Sequence, residues 1–213
     1  MAKGIIVIDP GHGGLMEVGG SSSNNAISAS GVLEKNMTLR FAFLVRHALT
    51  ELAKSGGHDI KIFLTRDTDK NLSLSARAGI GKSKKADIFL AIHFNGFNRK
   101  ARGTETLISP KANNSNFSAD KALAQRVQTA TFNSIKTFDP KAADRKVKEQ
   151  KLGVLNQANL GTKARGCLVE IEFIDVPAVD TLLNIGANSP QVREAICKAI
   201  AGALIDDLTA NQF

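Results

Sequence analysis

The chain opens on a run of β-branched apolar residues, Ile5-Ile6-Val7-Ile8, that halts at Asp9-Pro10-Gly11-His12-Gly13-Gly14. A short apolar run bounded by turn residues reads as a strand buried on both faces. Proline cannot extend a central strand, and the glycines permit a sharp turn after it. The pattern returns at Asp87-Ile88-Phe89-Leu90-Ala91-Ile92-His93, and again at Cys167-Leu168-Val169-Glu170-Ile171-Glu172-Phe173. Ile60–Leu64 and Gly103–Ser109 read as two further strands. Between them the period changes to that of a helix. Glu34 opens one in which Leu39, Phe43, Leu44, His47, Ala48 and Leu52 share a face, and Gly56-Gly57 ends it. Helices are also predicted over 72–85, 117–136 and 178–185, and from Ser189-Pro190 to about 208, with proline in the first turn. Two stretches lack periodicity: a loop over 9–33 rich in Gly, Ser and Asn, and a basic segment over 138–166, with an extended piece expected at 152–155. Loops this long inside a compact domain are usually functional or mobile.

Strands alternating with helices predict an α/β fold, a three-layer sandwich with a mostly parallel twisted sheet flanked by helices, as a single domain over 1–213. A chain of 213 residues is long enough to bury a sizeable core.

Composition adds limits. Trp and Tyr are absent, so eleven Phe supply the aromatic bulk. No uncharged apolar run is long enough for a transmembrane helix. Cys167 and Cys197 lie in apolar surroundings without C-x-x-C spacing and read as buried thiols. No secretory signal precedes the first strand. The chain is therefore expected to stay cytoplasmic until released, or to be a domain cut from a longer protein. A formal charge of +8 implies attraction to polyanions. No aromatic interleaving or nucleic-acid motif accompanies it, so nucleic acid is not the expected partner.

The chemistry-bearing residues stand where the strands end. His12 follows the first strand, His93 ends the third, Glu170 lies late in the last, and Glu34 opens a helix after the first loop. In open α/β sheets, ligands bind at the carboxyl ends of the strands. Two imidazoles and one carboxylate form a common ligand set for catalytic zinc that leaves a position open for water, and a further carboxylate beside it can act as general base. The same residues also read as scattered polar groups at strand ends. His47 and His58 read as structural or exposed, and Arg66 and Arg77 as ion-pair partners around the sheet edge. Glu105 has a strand position that can bring it near the cleft.

Five motifs then occur in order: Val7-Ile8-Asp9-Pro10-Gly11-His12-Gly13-Gly14, Gly31-Val32-Leu33-Glu34-Lys35-Asn36, Leu64-Thr65-Arg66-Asp67, Ala91-Ile92-His93-Phe94-Asn95 and Leu168-Val169-Glu170. Together they resemble the zinc-dependent N-acetylmuramoyl-L-alanine amidases of bacteria and their phages, over about residues 4–208. The resemblance implies a peptidoglycan hydrolase that cleaves the amide between N-acetylmuramic acid and L-alanine. It implies one Zn²⁺ held by His12, Glu34 and His93, with Glu170 activating the water. Asn95 is a candidate for contacting substrate or orienting its loop.

The chain departs from the family pattern in three places. The loop between His12 and Glu34 is longer, Phe94 replaces a small residue, and Glu172 stands where glycine is usual. Glu170 and Glu172, two apart on a strand, are expected to share a face, with Glu172 paired to a nearby Lys or Arg. The resemblance further implies action at the cell wall, and a monomer is expected. The basic excess is expected to favour anionic wall polymers, through Arg99, Lys100, Arg102, Arg145, Lys146 and Lys148 near the cleft. Other readings are a zinc peptidase on the same fold and a wall-binding module without catalysis.

Overall fold

A computed structural model describes residues 1–211; the expected domain extends to 213, and its last two positions lie outside the described residues. Six strands form one sheet: β1 (Lys3–Pro10), β2 (Asp59–Leu64), β3 (Ile88–Asn95), β4 (Thr104–Ile108), β5 (Asp144–Glu149) and β6 (Arg165–Phe173), in the spatial order β2-β1-β3-β6-β4-β5. β1, β2, β3 and β6 run parallel. β4 runs antiparallel to β6, and β5 parallel to β4. The sheet is thus mostly parallel, as expected. The reversal brings the start of β4 to the edge where β1, β3 and β6 end.

Alternation along the strands divides the core into two layers. Ile6 and Ile8, Ile88, Leu90 and Ile92, and Cys167, Val169 and Ile171 pack on one face; Val7, Phe89, Ala91 and Leu168 pack on the other. This double burial explains the unbroken apolar runs. The first face is covered by α1 (Glu34–Gly56), α3 (Phe117–Phe138) and α6 (Ser189–Ala210). The second is covered more thinly, by α2 (Leu74–Ser83), the single turn α4 (Gln157–Leu160) and a 3₁₀ turn at Gly153–Leu155. A short α5 (Pro177–Asp180) runs into a π turn at Thr181–Ile185, in place of one continuous short helix. Both cysteines are free and buried, as expected.

Two expectations need correction. The extended piece in the basic segment is β5, which starts at Asp144, ahead of the expected 152–155, and Gly153–Leu155 is a 3₁₀ turn. β5 reads Asp-Arg-Lys-Val-Lys-Glu, with one apolar residue, because it is an edge strand and charges there discourage pairing with another chain. In α1 the buried stripe is Met37, Phe41, Val45 and Leu49, while Phe43, Leu44, Ala48 and Leu52 are half-buried and His47 is exposed. The helix carries apolar residues on two adjacent stripes, and either satisfies helical spacing.

The end of β1 is fixed by two arginines. Arg77, on α2, is buried and pairs with Asp9 Oδ1 at 2.9 Å. It also donates to the carbonyls of Pro10 at 2.8 Å, His12 at 2.6 Å and Leu72 at 3.1 Å. Arg66 donates to the carbonyls of Pro10 at 3.0 Å, Gly11 at 2.8 Å and Lys35 at 2.9 Å. The sequence anticipates an ion pair for each; Arg77 makes one, whereas Arg66 directs its guanidinium at carbonyls. These carbonyls belong to a buried turn outside the sheet ladder, where an unpaired polar group costs about 1–3 kcal/mol. Arg77→Ala leaves Asp9 buried without its cation and several carbonyls without donors. Breaking a buried pair in this way costs about 3–5 kcal/mol. Equilibrium unfolding in denaturant checks this, and a loss under about 1 kcal/mol would contradict the clamp.

Candidate metal centre and its surroundings

His12 sits two residues past the end of β1 with φ at 60°. That left-handed conformation is uncommon for a residue with a side chain. It is held by the arginine contacts to Pro10, Gly11 and His12, and by a hydrogen bond from Gly11 N to Ile92 O at 3.1 Å. Gly11 is required by close approach, since a Cβ there would lie 2.2 Å from the His93 ring.

Glu34, the first residue of α1, is buried, and its carboxylate is fully engaged. Oε2 accepts from Ala26 N at 2.9 Å and Oε1 from Phe94 N at 3.0 Å. Oε1 also lies 3.2 Å from His12 Nε2 and 3.1 Å from His93 Nδ1. One nitrogen from each imidazole and one carboxylate oxygen therefore converge, all within 4.8 Å of one another. The residues expected to gather at one sheet edge do gather there.

The donor set fits a divalent cation. His12 Nδ1 lies 3.0 Å from Ser22 O, a partner that can only accept, so the ring proton belongs on Nδ1 and the Nε2 lone pair faces Glu34. Despite that 3.2 Å approach, buried His12 Nε2 forms no hydrogen bond. A buried nitrogen with a free lone pair, turned toward a carboxylate and a second imidazole, is the arrangement a metal ion satisfies. Burial alone would push the Glu34 carboxyl up. The two imidazoles overcome this and hold it well below the usual carboxylate range. Burial opposes a charged His12, yet the neighbouring Glu34 carboxylate leaves its pKa raised.

Glu170 stands beside this group. In the ladder it is directly opposite His93 on β3, and Glu105 on β4 is directly opposite Glu170. One polar row, His93–Glu170–Glu105, thus crosses three strands. Burial drives the Glu170 carboxyl well above its usual pKa, and the Glu34 and Glu105 carboxylates add to this. Its Oε2 is buried without a hydrogen-bond partner. Asn95 donates from Nδ2 to Glu105 Oε1 at 2.9 Å.

Glu172 departs from expectation. A bulge inserts one extra residue into β6 between the partners of His93 and Asn95, and the two glutamates do not share surroundings. Glu172 is fully buried and accepts from Gly103 N and Phe173 N, both at 2.8 Å, and from Arg102 at 3.2 Å. The expected arginine partner is present, but inside the protein. Arg102 is held by Glu172 and Asp139, so it does not contribute to an open basic surface. His58 is structural, accepting from Ala2 N at 2.9 Å.

A cavity of about 160 Å³ adjoins the cluster, lined by His12, Ser22, Asn25, His93, Leu152 and Leu168 among others. Part of its wall comes from the loop over 9–33, which is thus part of the site. The sequence assigns no role to Ser22, and gives Arg66 and Arg77 ion pairs but not their carbonyl contacts. The signal was the polar, glycine-rich character of that loop inside an otherwise apolar domain.

Comparison with known proteins agrees with this geometry. The family model for N-acetylmuramoyl-L-alanine amidase matches residues 6–202. The chain is 30% identical over 210 residues to an uncharacterized cell wall amidase of Bacillus anthracis, covering 94% of this chain and 35% of that protein. It is 26% identical to the AmiC N-acetylmuramoyl-L-alanine amidase of Neisseria meningitidis, covering 92% of this chain and 51% of the relative. An endolysin of Bacillus phage SPP1 is 28% identical, with coverage of 94% and 66%. The chain therefore spans about a third to two thirds of the length of these curated relatives. A crystal structure of an N-acetylmuramoyl-L-alanine amidase from Clostridium difficile 630 superposes with a TM-score of 0.78 at 25% identity, covering 99% of this chain and 100% of that one. With the matched family spanning nearly the whole chain and the fold shared end to end, this chain belongs to the N-acetylmuramoyl-L-alanine amidase family.

Proposed function

We propose that this chain hydrolyses the amide between the lactyl group of N-acetylmuramic acid and L-alanine in peptidoglycan, with zinc held by His12, Glu34 and His93. The observation that carries the reading is the convergence of two imidazole nitrogens and a carboxylate oxygen beside a fourth, buried carboxyl, Glu170. Family membership supplies the substrate class. The remaining basic surface at Arg99 and Lys100 suits anionic wall polymers.

A zinc ion bound there supplies Lewis acidity toward a carbonyl oxygen and toward water. The chain's own residues do the rest. His12 is fixed in the tautomer with Nδ1 protonated, by Ser22. Glu34 carries the negative charge of the ligand set and is oriented by two backbone N–H groups. Glu170 takes a proton from the attacking water, and the oxygen forms a bond to the amide carbon. As the carbon–nitrogen bond breaks, Glu170 returns a proton to the leaving alanine nitrogen. Its place opposite His93 and its unpartnered buried Oε2 suit both halves.

Two sets of variants test this. Purified protein is expected to hold about one zinc per chain by elemental analysis, and a chelator should abolish wall hydrolysis. Glu34→Ala should lose both metal and activity; full zinc occupancy in that variant would contradict the ligand assignment. Glu170→Ala should keep its zinc while losing about 10²–10⁴-fold in rate, the usual contribution of a general base. Glu172→Ala leaves Arg102 and two buried N–H groups without their acceptor. It should lower stability by about 1–3 kcal/mol while retaining zinc and hydrolysis at moderate temperature. A stable, zinc-loaded and inactive Glu172→Ala beside an active Glu170→Ala would reverse the two roles.

A further inference from the structure

On the side of β6 away from His12 lies a charged cluster that the proposed reaction leaves unused. Its centre is Glu105, opposite Glu170 in the β4–β6 ladder. Glu105 Oε2 is met by Arg145 Nε at 3.0 Å and by Lys148 Nζ, both from β5, while Asn95 occupies Oε1. The Glu105 side chain is 11% exposed, whereas those of Arg145 and Lys148 are 36% and 44% exposed. Two cations thus meet one Glu105 carboxylate, beside the row that it shares with Glu170, and both stay partly in solvent. The acidic groups of β5 do not cancel them. Asp144 is taken by Lys146 and Gln128, and Glu149 accepts from Lys111 N.

We propose that Arg145 and Lys148 form a carboxylate-binding subsite that selects stem peptides with a free acidic group on the second residue. This inference rests on the amidase reading above. In peptidoglycan the L-alanine at the scissile bond is followed by D-glutamate, whose α-carboxyl is free in some walls and amidated in others. The distances agree. From His93 across β6 to Glu105 is two strand spacings, about 10 Å. An extended peptide covers about 3.3–3.6 Å per residue, so the second residue from the reacting bond arrives about 7 Å along. The long Arg145 and Lys148 side chains, already turned inward to Glu105, span the remainder. Glu105 then acts as a positioning residue that keeps both cations extended toward the row containing Glu170.

The test uses two soluble muramyl peptides that differ only in a free or an amidated α-carboxyl on the second residue. The quantity read is the ratio of their kcat/KM values for release of the alanine amine. The wild-type protein is expected to favour the free acid by about five- to tenfold, the size of one or two partly solvated charge contacts. The preference should shrink at high salt, which screens exposed charges. Arg145→Gln and Lys148→Met should each lower the ratio, mainly by raising KM for the acid, and the double variant should bring it to about one. Equal kcat/KM values for the two peptides in the wild-type protein would overturn the subsite while leaving the amidase reading intact, as would a ratio unchanged in the double variant. Failure to release alanine from either peptide would overturn the amidase reading, and the subsite with it.

Discussion

The site depends on the pairing of carbonyl groups that lie just beyond the last ladder bond of β1. Pro10, Gly11 and His12 continue into a buried turn, where water is excluded and sheet neighbours are gone. Arg66 and Arg77 replace those neighbours, and the Asp9 carboxylate balances one of the two charges. Because the arginines come from separate places, the end of β2 and the α2 helix, the turn is fixed to three elements at once. A strand end tied this firmly can hold His12 in a left-handed conformation and still present one nitrogen to Glu34. It also lets Gly11 pass beneath the His93 ring at a distance that admits no side chain.

The sheet's topology does the remaining placement. Parallel β1, β3 and β6 deliver His12, His93 and Glu170 to one edge, and α1 begins there with Glu34. Antiparallel β4 then carries Glu105 into register with Glu170, extending the polar row toward the basic edge strand. The His12–Glu34–His93 cluster thus has a cavity on one side and a cationic cluster on the other. Such polarity suits the proposed substrate, with a sugar ether at one end of its reacting amide and an acidic peptide at the other.

Sequence patterning made the parallel core legible, because strands buried on both faces leave runs such as Ile5–Ile8 and Ile88–Ile92. It also made the four chemistry-bearing residues legible, since each stands at the end of a strand or the start of a helix. Less was visible where charge and geometry replace apolar pattern. β5 carries one apolar residue and offers no period to read. Nothing local to Glu172 marks that Arg102 and the Gly103 N–H meet it inside the protein rather than at the surface. The carbonyl contacts of the arginine clamp were unreadable for a different reason: backbone acceptors leave no trace in side-chain identity.

The central claim, hydrolysis of the lactyl–alanine amide, is tested most directly by the end groups released from purified peptidoglycan. The account predicts new amino-terminal alanine in equal amount to new muramyl lactyl carboxylate, with no new reducing sugar ends. New amino termini on any other stem residue, or new reducing ends without free alanine, would contradict it.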